Sequence, residues 1–513
     1  MKLKKEGSKT KAKTNTFLVI SVFVIFIIAV IVRFYYYPKD VYFAYDQARD
    51  SYFAVEILKG DIRLIGPPSA ASDKLFPGPL SLYLYSFVYA AFGPNPEVLS
   101  AFFRIYNALG IFLVFLIGRK LFNTKLGLLA SFLYAISYEQ FQYTLLMSHQ
   151  PLAVLPILLT FLGLAILIFE KRDKGLILTL LGLGLAIQFH YVYVLLIPIV
   201  IVILIVNKKE IPKIKKEDIL KAFGIFLITI FTYIISEFRF GFRTISALTA
   251  GAGNWSIQPH AAYYALNRFL HDLILSNFKY SYVVLLITLF SFLYCLSVSK
   301  LRSKGLFLLF WLIGGLLPYL FSGTSGYYYS AAASVSLILL FSLLILNVPG
   351  KHLMPTMVIY LLILINNFWS IKISYEKGLN RDLVIQPGMF VEFEKKALDY
   401  IYQSSNRGPF AVRALTIPLN VNTTWSYLFE WYGQKKYGYV PIWAEKPAEG
   451  FPGSLPYLTD RSTLPETQFV IIEPPVGIRE HDKDKFFREE NYFTKLIEEK
   501  SFGTIKVQKR VKF

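Results

Sequence analysis

The 513-residue chain is 55% hydrophobic and only 17% charged, against about 25% charged in an ordinary soluble domain, which argues against a water-soluble globular protein. Its formal net charge of +20 sits in short Lys and Arg clusters between apolar runs. That is the pattern of membrane topology, and it argues against nucleic acid as a partner. The single cysteine, Cys295, leaves no intrachain disulfide and no cysteine-based metal or redox centre.

Lys2, Lys4, Lys5, Lys9, Lys11 and Lys13 precede an apolar stretch from Phe17 to Phe34. The run is too long for a signal peptide and reads as an uncleaved first span with its N-terminus inside. Crossing about 30 Å of hydrocarbon takes about twenty apolar residues. Candidate spans are 16–34, 98–118, 125–143, 148–169, 175–190, 191–206, 219–236, 281–299, 305–321, 330–348 and 353–370. Every second connection is basic: Arg119, Lys120 and Lys125; Lys171, Arg172 and Lys174; Lys208 through Lys221; Lys300, Arg302 and Lys304; then Lys351. The alternation predicts about eleven spans with the N-terminus inside and the C-terminus outside.

The expected fold is therefore mainly α. A polytopic helical bundle over 1–370 includes a long external loop at 35–97, and a small external α/β domain covers 371–513. Within the loop, Leu80 to Phe92 reads as a helix lying at the interface. A second external segment, 237–280, mixes polar and aromatic residues. In the tail, 392–402 and 483–500 are helix-like, and 410–417, 468–475 and 504–513 are strand-like.

The most informative stretch is YDQARDSYFAVEIL, Tyr45 to Leu58. As a helix it puts Asp46, Arg49, Asp50 and Phe53 on one face. Two carboxylates at i, i+4 repel and call for compensation by Arg49, a metal ion or a raised pKa on one acid. A pKa raised towards the reaction pH is what a general base needs. The bland alternative is a solvated acidic turn. Further on, Gly66-Pro67-Pro68 and Pro77-Gly78-Pro79 mark a fixed path at the membrane surface. Arg63 and Lys74 there are candidates for a lipid phosphate or for ordinary interfacial solvation.

These features resemble the GT-C class of polytopic glycosyltransferases, in particular the family-39-like group that includes protein O-mannosyltransferases and aminoarabinose transferases. The resemblance rests on Tyr45-Asp46-Gln47-Ala48-Arg49-Asp50 after the first span and on the Leu64-Ile65-Gly66-Pro67-Pro68 turn. It rests also on Phe76-Pro77-Gly78-Pro79-Leu80, on Gln188-Phe189-His190, and on Glu237-Phe238-Arg239 at the outer end of the seventh span. It covers roughly residues 16–345. The chain departs where many relatives carry aromatic-Asn-Pro, here Ser148-His149-Gln150-Pro151. It departs again where they carry His-Tyr-Tyr, here Gly326-Tyr327-Tyr328. The oligosaccharyltransferase Trp-Trp-Asp motif is missing, its nearest string being Glu430-Trp431-Tyr432-Gly433.

The resemblance implies transfer of one sugar from a polyprenyl-phosphate donor to an acceptor hydroxyl, with inversion, at the outer face of the plasma membrane. A phosphate leaves readily, so one carboxylate suffices to take the acceptor proton. Asp46 is the expected base, with Asp50 orienting the site or joining Asp46 in holding a divalent cation, which the reaction itself does not require. Arg49 is expected to pair with these acids or touch phosphate. Arg63, Arg239, Arg243 and Arg268 are candidate phosphate clamps. Gln188, His190, Glu237 and His149 complete the candidate substrate-binding set. The histidines are alternatively hydrogen-bonded between helices, and Glu237 alternatively pairs with Arg239 or Arg243. A lipid or polysaccharide transporter, or a lipid-linked glycan ligase, is the rival reading. Transporters gather polar groups at the midplane, whereas here they gather at outer helix ends.

Overall fold

The computed structural model describes residues 2–68, 75–242, 245–246, 260, 263, 267, 281–320, 327–330, 332–347, 353–378 and 384–513. Lys74, Arg243 and Arg268 lie outside them. The chain begins with α1 (Lys2–Arg33), followed by α2 (Tyr45–Leu58) and α3 (Leu80–Phe92). Then come α4 (Pro96–Ala108), α5 (Gly110–Leu121), α6 (Thr124–Ala135), α7 (Tyr138–Leu145) and α8 (His149–Leu152). Next are α9 (Val154–Phe169), α10 (Lys174–Phe189), α11 (Leu196–Val206), α12 (Lys216–Thr229) and α13 (Phe231–Arg239).

Each of the eleven apolar segments is helical over most of its described length. Among the described residues, five helices are long and apolar enough to cross a membrane: Thr16–Arg33, Pro96–Leu121, His149–Phe169, Ser299–Leu320 and Met357–Lys377. α12 and α13 pass as a pair bent by 57°, and six shorter apolar helices accompany them. Exposed apolar side chains such as Phe17, Phe23, Ile205, Phe223 and Leu361 line these helices. They form a surface suited to hydrocarbon.

Local signals explain the breaks. The Asn95 side chain caps α4 with Pro96 in its first turn, and the Asn123 side chain accepts from the Leu126 N–H to start α6. α9 and α10 pack backbone to backbone. A Cβ on Gly163 would lie 2.4 Å from the Thr179 nitrogen, and one on Gly182 2.5 Å from the Thr160 nitrogen. Small residues at such contacts let helices associate where burial of apolar surface gives no driving force.

Arg33 ends α1 fully buried, donating to Asn107 Oδ1 at 2.9 Å and to the Ala135 carbonyl at 3.0 Å. Arg104 pairs with Asp40 at 2.8 Å, both buried. Together they fix the chain between the first span and α2.

The tail carries a five-stranded sheet in the order β2-β1-β3-β5-β4. Its strands are β1 (Ala411–Leu415), β2 (Ile442–Trp443), β3 (Thr467–Ile472), β4 (Thr494–Phe502) and β5 (Ile505–Lys512). β1 runs parallel to β2 and β3, whereas β5 is antiparallel to β3 and β4. β1 is buried along its whole length, as a central parallel strand requires. β3 stops before Pro474 and Pro475, which cannot donate to a ladder. The helix expected over 483–500 is instead Glu480–Phe493 followed by β4. Lys495 to Lys500 is built largely of good helix formers, and pairing with β5 overrides that preference.

The tail is joined to the first loop by backbone. Phe43 N–H donates to the Met389 carbonyl and Val391 N–H to the Val41 carbonyl, each at 2.9 Å. Tyr427 donates to the Pro94 carbonyl at 2.8 Å, and Lys395 pairs with Glu97.

Candidate active site

α2 opens on an internal clamp. Gln47 Oε1 accepts from the Ala44 N–H at 3.2 Å, while Gln47 Nε2 donates to the Met147 carbonyl at 3.0 Å. One buried side chain thus starts the helix and ties it to the segment that leads into His149. Sequence reasoning missed Gln47, although it lies inside the YDQARD motif.

Arg49 bridges the two carboxylates. Its Nη1 lies 2.8 Å from Asp46 Oδ1 and its Nη2 2.8 Å from Asp50 Oδ1, with Nε also donating to Asp50 at 2.8 Å. The two acids differ sharply in setting: Asp46 is 60% exposed and Asp50 is 1% exposed. Burial pushes the Asp50 carboxyl up to about 6, with Arg49 opposing the rise. Burial disfavours the Arg49 charge, but Asp50 and Asp46 outweigh it and raise its pKa. Asp50 is therefore the buried anchor, whereas Asp46 is the carboxylate that reaches open space. Asp46 also sits in the first helical turn, where the helix dipole favours negative charge.

His149 and His190 stack in parallel, with ring centroids 5.3 Å apart and 2° between planes. His149 lies within electrostatic reach of Arg49, and Tyr328 within reach of Asp46. The Tyr329 ring stands 5.1 Å from His190. His190 Nδ1 accepts from the Val192 N–H at 3.1 Å, so the neutral ring carries its proton on Nε2. The sequence marks Tyr328 only as a departure from the family pattern and Tyr329 not at all, because 35 tyrosines hide the relevant two.

The short motifs converge. Gly66 N–H donates to the Pro77 carbonyl at 2.8 Å. A Cβ on Gly78 would lie 2.1 Å from Gln188 Oε1. Gln188 Nε2 donates to Thr232 at 2.7 Å, and Tyr233 donates to the Ile187 carbonyl at 3.3 Å and the Phe76 carbonyl at 3.4 Å. The two turns, the end of α10 and the start of α13 thus form one assembly, with Gln188 as its joint. Glu237 accepts from the Ile245 N–H at 3.2 Å, and Arg239 lies exposed beside the Phe240 ring. Arg63 is ion-paired to Glu56 at 2.5 Å and to Asp61 at 3.1 Å, and stands over Phe53.

A cation bridging Asp46 and Asp50 would have to displace Arg49, whose guanidinium already joins them. Among the described residues, no group of three or more His, Cys, Asp or Glu side chains has metal-site geometry.

The family described as dolichyl-phosphate-mannose-protein mannosyltransferase matches residues 77–236. ArnT from Cupriavidus metallidurans, bound to undecaprenyl phosphate, superposes with a TM-score of 0.62 at 10% identity, covering 96% of this chain and 98% of that one. Its apo form gives 0.60 at 9% identity, covering 97% and 98%. The chain shares the fold of ArnT, a GT-C membrane glycosyltransferase. A further GT-C structure, the oligosaccharyltransferase AglB from Archaeoglobus fulgidus with an inhibitory peptide and a dolichol-phosphate, gives 0.52 at 12% identity, over 96% of this chain and 74% of that chain. No curated protein sequence matches the chain. The likeness to ArnT thus spans both the helical bundle and the tail sheet.

Proposed function

We propose that the chain moves a single sugar from a polyprenyl-phosphate donor to an acceptor hydroxyl at the outer membrane surface, with inversion, using Asp46 as general base. The observation that carries this reading is the bridged pair on α2. Arg49 and the buried Asp50 hold Asp46 in place, and Asp46 alone is open to an acceptor. The relatives support the donor class, since ArnT holds undecaprenyl phosphate and AglB a dolichol-phosphate.

In the proposed step the acceptor oxygen attacks the anomeric carbon as its proton passes to Asp46. The bond from that carbon to the phosphate oxygen breaks, and the electron pair leaves on the phosphate. His190, through its Nε2 proton, and Arg239 at the end of α13 stabilise the departing charge. Arg243 and Arg268, which lie outside the described residues, are proposed to share that role. Arg49 serves as the cation between the acids in place of a metal. The proposed topology has eleven spans, the N-terminus inside and the 371–513 tail outside, and with it the site faces the external side of the plasma membrane.

The test is turnover of polyprenyl-phosphate sugars by the full chain in nanodiscs, comparing wild type with Asp46→Asn. The variant is expected to bind donor and turn over at least about a hundredfold more slowly, the low end of base catalysis. Equal turnover removes Asp46 from the role. No donor consumption by either protein favours transport.

A further inference from the structure

The break between α7 and α8 frees one buried backbone carbonyl. In a continuous helix the Pro151 ring would strike the carbonyl four residues before it, and a proline has no N–H to offer that carbonyl. The carbonyl belongs to Met147, in the non-helical link between Leu145 and His149. It is met from elsewhere in the chain, accepting from Gln47 Nε2 at 3.0 Å. Met147 is fully buried and Gln47 is 2% exposed, so solvent does not take that place.

The other end of the amide is committed to α2. Ala44 precedes the helix and has no side-chain oxygen to cap it, so Gln47 Oε1 accepts from the Ala44 N–H at 3.2 Å. One donor and one acceptor on a single tip thus hold two backbones. Those backbones carry the chemistry. Asp46 is next to Gln47, and His149 follows Met147 by two residues, its ring stacked on His190.

We propose that Gln47 is a positioning residue, setting the separation between Asp46 and the His149–His190 stack without touching substrate. The proposal rests on the glycosyltransferase reading. Inversion puts the attacking and leaving oxygens on opposite sides of the anomeric carbon. The substrate therefore dictates how far the base stands from the group that meets the departing phosphate. A misplacement of about 1 Å can cost about a hundredfold in rate. The ion pairs of Arg49 with Asp46 and Asp50 lie within α2, whereas the Gln47 amide reaches out of it.

The experiment measures turnover of a polyprenyl-phosphate sugar and thermal unfolding for the full chain in nanodiscs, with rates taken per donor-binding site. Gln47→Met keeps the length of the side chain and loses both bonds. It is expected to lower kcat about ten- to a hundredfold. The donor KM should stay within about threefold, as loss of an alignment needed only in the transition state requires. In an Asp46→Asn background the same change should add little, because the group it aligns is gone. Gln47→Glu, which keeps an acceptor for the Ala44 N–H and when ionised has no donor for Met147, replaces the methionine variant if that fails to fold. Unchanged kcat, a raised KM at constant kcat, losses that add in the double variant, or failure of both variants to fold overturns the proposal. A wild type that releases no polyprenyl phosphate sinks the glycosyltransferase reading, and the proposal with it.

Discussion

Asp46 and Asp50 on α2 share one guanidinium, whereas Glu394 and Glu473 in the tail share none. Glu473 is buried but accepts from Gln386 at 2.6 Å, from the Ile417 N–H at 3.0 Å and from Trp425 Nε1 at 3.0 Å. Burial pushes it up to about 7 against those donors. Glu394 is fully buried with neither carboxyl oxygen hydrogen-bonded. Burial, then the charge of Glu473, raise it well above the usual carboxylate range. In the first pair a guanidinium opposes the effect of burial on Asp50. In the second no hydrogen bond opposes it on Glu394. A site that must use a carboxylate as a base needs the first arrangement, while a packed junction tolerates the second.

The contrast is broken most severely at Arg49. Arg49→Gln leaves Asp50 buried beside a second carboxylate. Truncating one partner of a buried pair costs about 3–5 kcal/mol, read as a drop in thermal unfolding temperature in detergent. Adding Asp50→Asn should restore folding without restoring turnover, which separates the structural half of the pair from the reactive half.

In the tail, the two acids should respond in opposite directions. A carboxyl whose folded pKa is raised loses stability as pH rises above its unfolded value, because the folded state then binds more protons. Glu394→Gln should therefore stabilise the protein at pH 8, by about 1.4 kcal/mol for each pH unit that separates the folded and unfolded pKa values of the glutamate it replaces. The gain should vanish below about pH 4, under the unfolded pKa of a glutamate. Glu473→Gln turns an amide towards three donors and should destabilise by about 1–3 kcal/mol. Unfolding measured across pH checks both signs, and a destabilised Glu394→Gln would show that Glu394 is ionised.

The smallest effect is expected where α2 touches the tail through a single neutral donor. Tyr52→Phe removes the hydrogen bond to Glu430 at a cost of about 1 kcal/mol. A much larger loss in the same unfolding assay would mean that the tail holds α2 more tightly than its contacts indicate.

The sequence pattern made the helices legible because spans must be long and apolar. The motif at Tyr45–Asp50 was legible because opposed carboxylates on one helix face call for compensation. That Asp50 and not Asp46 is the buried acid was not legible, since burial depends on α3 and the tail helix Thr423–Leu428 packing against α2. The stacking of His149 on His190 joins residues 41 positions apart, and the contact of Phe451 with Tyr45 joins opposite ends of the chain. No local periodicity carries such information. β4 was misread for a different reason: its residues are largely good helix formers, and pairing with the adjacent β5 overrides that preference.

The backbone bonds linking Val41 and Phe43 to Met389 and Val391 have a consequence for biogenesis. The helix that bears Asp46 is among the first segments made, yet its support arrives about 350 residues later. Pairings so distant form late, and domains fold in order of synthesis. In a nascent chain the helix that carries Asp46 therefore stays without this support until the tail has been translated and has docked.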